Sequence, residues 1–183
     1  MAHNRYVLLD RDGVINEDSD AFIKSPEEWR PIPGSLEAIA LLGSHGFKVV
    51  VITNQSGIAR GLFDLSMLER IHRKMRRLAA ENGGAIEAIY YCPHGPEDDC
   101  DCRKPKAGLI RAFAAEHRAD LHDAVLVGDS LRDIQAAEAA GIRPILVKTG
   151  KGRKTLAANP HLKIPVFDNL YDAANALVSG QEL

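Results

Sequence analysis

The sequence predicts an α/β fold with a doubly wound parallel sheet, and three observations predict it. Short apolar runs rich in β-branched residues alternate along the chain with segments of helical periodicity. The connections between most of them are short, which favours right-handed crossovers and helices on both faces of the sheet. Several apolar runs end in polar residues, as they do where a parallel sheet presents its strand ends to a ligand. The expected architecture is therefore Rossmann-like.

The first half of the chain supplies two expected strands and one helix. The apolar run at 7–9 is a short buried strand, and the run at 47–53 is β-branched and almost wholly apolar, which places it centrally in the sheet. Apolar residues at helical spacing over 36–42 predict a helix. The polar segment 16–33, with Trp29 as its only large aromatic residue, is expected to form a loop over the sheet edge rather than part of the core.

The middle of the chain continues the alternation. A helix over 65–82 is expected to begin at Asp64 or Ser66 and to end at two glycines. A strand at 85–91 follows, and a second helix covers 107–117.

The last part of the chain repeats the opening pattern. A strand at 124–128 delivers an aspartate, a helix covers 131–140, and the last clear strand is 144–147. The basic segment 151–154 could reach a phosphate, but without the residue order of a nucleotide-binding loop we interpret it as a surface loop. A final helix is expected over 170–178.

Composition narrows the class of protein. Hydrophobic residues make up 45% and charged residues 26% of the 183 residues, so we treat residues 1–183 as a single globular domain. A mixture of 23 basic and 25 acidic residues disfavours nucleic acid and membrane surfaces as partners. The opening residues 1–5 lack the apolar stretch of a signal peptide, and no run approaches the roughly 20 residues that span a bilayer. We therefore expect a cytoplasmic protein. The sequence does not determine its oligomeric state, and we take a monomer as the default.

Polar side chains converge at one edge of the expected sheet. Asp10 and Asp12 follow the first strand, Thr53 and Asn54 follow the second, and Asp129 follows a later one. Because the carboxyl ends of parallel strands share one edge, these side chains can meet in one crevice. Two carboxylates so close repel each other unless a cation such as Mg²⁺ lies between them. On its own, the first pair is more typical of a turn than of a metal site.

These motifs, with the Lys-Pro before the helix at 107, resemble the four motifs of the haloacid-dehalogenase (HAD) superfamily. Residues 53–61 and 92–105 further resemble one branch, the heptose 1,7-bisphosphate phosphatases, with histidinol-phosphate phosphatases as close relatives. Ser130 departs from that branch, which has a lysine there. The chain is too short for a large cap domain, so the cap is expected to be minimal and specificity to come from loops at 17–33, 56–62 and 92–104.

The resemblance implies a set of catalytic roles. Asp10 is the expected nucleophile, and Asp12 is the expected acid and base, which requires a raised pKa. Thr53 is expected to bind phosphoryl oxygens, and Lys104 to neutralise their charge and hold Asp10. Mg²⁺ would be held by Asp10, by the backbone carbonyl of Asp12 and by Asp129, with Asp133 orienting its water shell.

Substrate recognition is assigned to polar residues around these motifs. Asp18, Ser19 and Asp20 could bond sugar hydroxyls or could simply be the polar surface of a mobile loop, and Arg103 is the strongest candidate beyond the reacting phosphate. The full set of expected substrate-binding residues is Arg11, Asp18, Ser19, Asp20, Asn54, Gln55, Ser56 and Arg103.

All three cysteines lie within one short segment, which argues against a disulfide framework. Cys92, His94, Cys100 and Cys102 offer four soft ligands, enough for a tetrahedral Zn²⁺ site with no open position. We expect structural zinc in a loop at about 92–102 that stiffens the segment carrying Arg103. The alternative is a set of unrelated reduced thiols.

The expected function is that of a Mg²⁺-dependent phosphoric monoester hydrolase. The resemblance implies removal of the 7-phosphate from D-glycero-D-manno-heptose 1,7-bisphosphate, a small phosphorylated sugar, through an aspartyl-phosphate, in lipopolysaccharide core biosynthesis. Histidinol phosphate is the alternative substrate. A receiver-like phospho-acceptor module also places aspartates, a hydroxyl and a lysine at strand ends, and a metal-binding interaction module without activity is a third alternative.

Overall fold

The sheet has six strands, all parallel, and the expected doubly wound architecture is confirmed. The structure is a computed structural model that describes residues 5–181, so the residues 1–4 used in the signal-peptide prediction lie outside it. The strand order is β3-β2-β1-β4-β5-β6. The strands are β1 (Arg5–Leu9), β2 (Phe47–Asn54), β3 (Ala88–Cys92), β4 (Val125–Gly128), β5 (Arg143–Val147) and β6 (Val166–Phe167).

Helices cover both faces of this sheet. They are α1 (Ser35–Ser44), α2 (Leu65–Glu81), α3 (Gly108–His117), α4 (Leu131–Ala140), α5 (Gly152–Ala158) and α6 (Leu170–Val178). Because side chains alternate along a strand, Val7 and Leu9 of β1 face a core shared with α1, α2 and α6, whereas Leu8 faces a core shared with α3 and α4. Between residues 5 and 181, no helix is both long enough and apolar enough to cross a membrane.

Two elements were not predicted from the sequence. β6 pairs with β5 at one edge of the sheet, and α5 begins inside the basic segment that we interpreted as a plain surface loop. That interpretation is wrong. The hydroxyl of Thr155 in α5 is buried and donates a hydrogen bond to the backbone oxygen of Asp129 at 2.8 Å, which holds the helix against the end of β4. β3 also begins later than expected, at Ala88.

The segment 16–33 is a loop, but the expectation that it stays outside the core is wrong. Trp29 is completely buried, and Ile23 packs in the same core cluster. The ammonium group of Lys74 in α2 donates hydrogen bonds to the backbone oxygens of Pro26 at 2.6 Å and Trp29 at 2.8 Å. The loop is therefore held both by apolar side chains packed in the core and by hydrogen bonds to its backbone oxygens.

Candidate active site

The strand order changes direction between β1 and β4, and a cleft opens at that point. In doubly wound sheets this position is where ligands bind, because the connections on either side leave in opposite directions. The structure brings most of the expected site residues to the wall of this cleft. They are Asp10, Asp12, Asp18, Ser19, Asp20, Asn54, Gln55, Ser56, Arg103, Lys104 and Asp129.

Lys104 links two carboxylates at the base of the cleft. Its Nζ lies 2.9 Å from Asp10 and 2.7 Å from Asp133, and it donates a third bond to the backbone oxygen of Ile52 at 2.8 Å. Burial alone would lower the pKa of Lys104, but the two carboxylates outweigh burial and raise it. Lys104 is therefore a permanently charged group beside Asp10.

The neighbouring carboxylates place more negative charge around Asp10 than Lys104 neutralises. Burial and the charge of Asp133, with smaller contributions from Asp129 and Asp12, raise the pKa of Asp10 well above its usual value despite Lys104. The ionised form of Asp10 is thus disfavoured in the metal-free protein. A cation at this position would relieve the cost.

Asp129 approaches Gly13 closely. Gly13 has φ 84°, and a Cβ at this position would lie 2.0 Å from Asp129 Oδ2, so only glycine fits. The same oxygen accepts a hydrogen bond from the backbone N–H of Lys151 at 2.8 Å. Burial, followed by the charge of Asp133, raises the pKa of Asp129 to about 7.

Three carboxylates at the cleft floor lie close enough together to hold a metal ion. One oxygen from each of Asp10, Asp129 and Asp133 lies within 4.8 Å of the others. Their hard oxygen atoms and uncompensated charge fit a Mg²⁺ ion. One oxygen of Asp133 pairs with Lys104, and the other accepts hydrogen bonds from the backbone and hydroxyl of Ser130.

Asp12 accepts hydrogen bonds on both oxygens. Arg11 reaches it through Nε and Nη2, Asn16 donates to Oδ1 at 2.9 Å, and Gln55 donates to Oδ2 at 2.9 Å. Burial would raise the pKa of Asp12, but the Arg11 charge and these hydrogen bonds outweigh burial and lower it. The expectation of a raised pKa is therefore wrong for the protein without substrate.

Arg11 was expected to bind substrate, and its placement contradicts that expectation. The side chain is completely buried and turns away from the cleft, toward His72 of α2. Asp10 and Asp12 line the cleft, whereas the Arg11 guanidinium lies behind Asp12, between that carboxylate and His72.

Thr53 and Asn54 contact protein groups. Thr53 is fully buried, does not line the cleft, and accepts a hydrogen bond from Gln55 at 2.9 Å. Asn54 bonds both backbone groups of Lys104, accepting from the N–H at 3.0 Å and donating to the oxygen at 3.1 Å. Asn54 thereby fixes the segment that carries Lys104 to the end of β2.

Sequence reasoning missed two cations on the cleft wall. Arg132 lies in the first turn of α4, three residues after Asp129, so its closeness in sequence to that residue could have indicated it. Lys151 lies 3.4 Å from Asp18, across the cleft entrance. It was considered only as part of a basic surface segment, because α5 was not recognised.

The cysteine loop brings its four candidate ligands together. Cys92 Sγ lies 3.5 Å from His94 Nδ1 and 3.7 Å from Cys100 Sγ, and Cys102 Sγ lies 3.2 Å from His94 Nδ1. All three cysteines are free rather than disulfide-bonded, as expected. Arg103 Nη1 donates to the backbone oxygen of His94 at 3.3 Å, so this cluster also positions a cation of the cleft.

Comparisons with known proteins identify the family of the chain. Residues 101–173 match a family model described as HAD-hydrolase-like. The chain is 52% identical over 174 residues to D-glycero-beta-D-manno-heptose-1,7-bisphosphate 7-phosphatase of Pseudomonas putida, covering 95% of this chain and 99% of that protein. It is 58% identical over 153 residues to the same enzyme of Bordetella bronchiseptica, covering 84% and 86%.

A solved structure extends the agreement to three dimensions. The crystal structure of D,D-heptose 1,7-bisphosphate phosphatase from B. bronchiseptica, complexed with magnesium and phosphate, superposes with a TM-score of 0.93 at 52% identity, covering 96% of this chain and 99% of that one. The fold and the carboxylate cluster define a hydrolase of the HAD-like class, as the sequence predicted. Within that class, the chain belongs to the family of heptose-1,7-bisphosphate 7-phosphatases.

Proposed function

We propose that the protein is a Mg²⁺-dependent phosphatase that removes the 7-phosphate from D-glycero-D-manno-heptose 1,7-bisphosphate. The observation that carries the proposal is the meeting of Asp10, Lys104 and Asp129 in one cleft of a chain that is 52% and 58% identical, over the aligned residues, to two enzymes of that name. The product would feed the synthesis of the heptose units of the lipopolysaccharide core.

Asp10 is the proposed nucleophile. One of its oxygens attacks phosphorus while the bond from phosphorus to the sugar oxygen breaks, which leaves an aspartyl-phosphate on Asp10. Lys104, 2.9 Å from Asp10, offsets the charge that the phosphate brings. Bound Mg²⁺, held by Asp10, Asp129 and the backbone carbonyl of Asp12, would screen the carboxylate from the phosphate oxygens.

Asp12 is the proposed acid and base. It donates a proton to the departing sugar oxygen and then takes a proton from the water that hydrolyses the aspartyl-phosphate. Its lowered pKa in the free protein means that it acquires its proton together with the substrate, since a phosphate dianion beside it favours the neutral carboxyl.

A substrate panel tests the proposal. We expect kcat/KM for the heptose bisphosphate to exceed that for histidinol phosphate by at least roughly tenfold, because the second phosphate meets Arg103 and Arg132 on the cleft wall. Both anomers are compared, and the released product is mapped to position 7 by NMR. Preference for histidinol phosphate would overturn the substrate assignment, and stoichiometric labelling without turnover would favour the receiver-like alternative.

The response to Mg²⁺ is expected to depend on pH through Asp129. Its pKa rises from 3.8 in the unfolded chain to about 7, so its contribution to the stability of the metal-free protein falls as the pH rises between those values. Because Mg²⁺ requires the ionised carboxylate, the increase in Tm caused by Mg²⁺ should be larger at pH 8 than at pH 6. Thermal unfolding at both pH values checks this, and an equal increase contradicts it.

We propose that the cysteine loop holds one structural Zn²⁺ ion, as the clustering of four soft ligands supports. Cys100→Ser should release the zinc and raise KM about tenfold, the equivalent of losing one charge-assisted hydrogen bond, because Arg103 is held by this loop. Zinc content by mass spectrometry and steady-state kinetics measure both effects. Asp99→Asn, an exposed position in the same loop, is the control and should retain its zinc.

We also propose that the chain functions as one domain with a minimal cap. The buried anchors of the loop 16–33 support this, since they let that loop form one wall of the cleft without a separate domain. The monomeric state and the cytoplasmic location stay predictions.

A further inference from the structure

His72 lies behind the cleft and contacts the side chain that holds Asp12. The imidazole is in α2, is only 7% exposed, and places Nε2 3.1 Å from Nη1 of Arg11. A guanidinium group can only donate, so His72 Nε2 must accept this hydrogen bond. The imidazole is therefore neutral, with its proton on Nδ1. Burial and the neighbouring Arg11 charge lower the pKa of His72 to about 3, in agreement with this tautomer.

Arg11 connects His72 to Asp12. Its Nε donates to Asp12 Oδ1 at 3.1 Å, and its Nη2 donates to Oδ1 at 2.9 Å and to Oδ2 at 3.2 Å. The planar guanidinium is thus bonded to Asp12 along one edge and to His72 through Nη1. Contacts at both ends fix the plane of the group, and that plane sets the orientation of the Asp12 carboxylate.

Removal of the acceptor on His72 would leave a donor of a buried charged group without a partner. Such a group costs free energy until it rotates toward another acceptor, and rotation would carry Asp12 with it. A displacement of about 1 Å at a reacting group can lower a rate about a hundredfold. The backbone N–H of Arg11 also donates to Asp10 Oδ1 at 2.8 Å, but its guanidinium group bonds Asp12 and His72 and does not line the cleft. The contact of His72 with the guanidinium therefore leads to the cleft through Asp12.

We propose that His72 is a positioning residue, which acts through Arg11 to hold the Asp12 carboxyl where it can reach the leaving oxygen of the substrate. The inference rests on the acid role of Asp12 in the proposed function.

A comparison of two leaving groups tests the proposal. The heptose bisphosphate needs a proton on its departing alkoxide, whereas p-nitrophenyl phosphate releases a phenolate that needs none. The comparison uses the single-turnover rate of leaving-group release, because the later hydrolysis of the aspartyl-phosphate needs Asp12 as a base with either substrate. His72→Leu should lower this rate about 10- to 100-fold for the sugar substrate and by less than about threefold for p-nitrophenyl phosphate. His72→Gln, whose amide oxygen can occupy the position of Nε2, should restore most of the loss.

Met75→Ala is the matched control, because Met75 is buried one turn further along α2 and contacts the core rather than Arg11. It should lower the stability of the protein without changing the ratio of the rates on the two substrates. Equal losses on both substrates in His72→Leu, no loss on either, or no recovery in His72→Gln would each overturn the proposal.

Two further measurements keep the test decisive. Asp12→Asn should separate the substrates in the same way. If it lowers both alike, the acid role itself fails, whereas a separation seen in Asp12→Asn but absent from His72→Leu refutes only the role of His72. Nitrogen NMR of the parent protein at pH 7, which does not depend on the variants folding, should show His72 with Nδ1 protonated and Nε2 bare, and a proton on Nε2 would overturn the proposal.

Discussion

Asp10→Asn is expected to abolish turnover and to leave the metal-free protein at least as stable as the parent. The amide cannot form the aspartyl-phosphate, so kcat should fall by a factor on the order of 10⁴ or more. The net effect of its surroundings raises the pKa of Asp10 well above its usual value, so repulsion and burial outweigh the attraction of Lys104. Removing this charge should therefore relieve strain, because Lys104 keeps its contact with Asp133 at 2.7 Å.

Steady-state kinetics and thermal unfolding, each with and without Mg²⁺, measure these effects. The increase in Tm caused by Mg²⁺ should shrink in Asp10→Asn, since one ligand is lost. Glu138→Gln removes the same charge from an exposed position of α4 and should change neither activity nor Tm appreciably. Residual turnover within tenfold of the parent would contradict Asp10 as the nucleophile, and a lower Tm without Mg²⁺ would contradict the electrostatic argument.

Lys104→Met is expected to be the most destabilising substitution in the cleft. Lys104 is almost completely buried between Asp10 and Asp133, so its removal leaves two buried carboxylates without their cation. Breaking a buried pair in this way costs about 3–5 kcal/mol in the free energy of unfolding. Activity should also fall sharply, because the charge that offsets the phosphate disappears with the side chain.

The pH dependence of the stability lost in Lys104→Met identifies the cause of the loss. Burial would raise the pKa of Asp133, but Lys104 outweighs burial and lowers it, so the parent gains stability at neutral pH that is lost as the pH falls through that lowered pKa. The deficit of Lys104→Met in denaturant unfolding should thus be largest at neutral pH and smaller in acid. Lys106→Met, at a half-exposed neighbouring position, should stay within about 0.5 kcal/mol of the parent. A deficit in Lys104→Met that does not change with pH would point to lost packing instead.

The sequence predicted the positions of the site residues better than the directions of their side chains. Asp10 and Asp129 each follow an apolar strand, and the geometry of a parallel sheet brings such residues to one edge whatever the rest of the chain does. Arg11 shares that position in the sequence but points away from the cleft, and Thr53 is buried beneath it. The direction of a side chain relative to the cleft depends on the local backbone conformation and on packing, which composition does not determine.

Other features could not be predicted because they arise only from distant contacts. Trp29 joins the core because α2 packs beside its loop, and Lys74 in that helix binds the carbonyl oxygen of Trp29. The lowered pKa of Asp12 arises mainly from the neighbouring Arg11 charge and from Asn16, but Gln55, which follows a different strand, also lowers it through a hydrogen bond. Short elements such as α5 and β6 have too few apolar residues to show a period.

The neighbouring positions of β1 and β4 affect how the protein can acquire activity during synthesis. Asp10 and Asp129 lie more than a hundred residues apart in the chain, yet their strands are paired directly, with Val7 opposite Val125. A nascent chain that has released only its first three strands from the ribosome holds the nucleophile without its partner aspartate. Catalytic competence in refolding should consequently appear together with the complete sheet, and an isolated N-terminal fragment should be inert however well it folds.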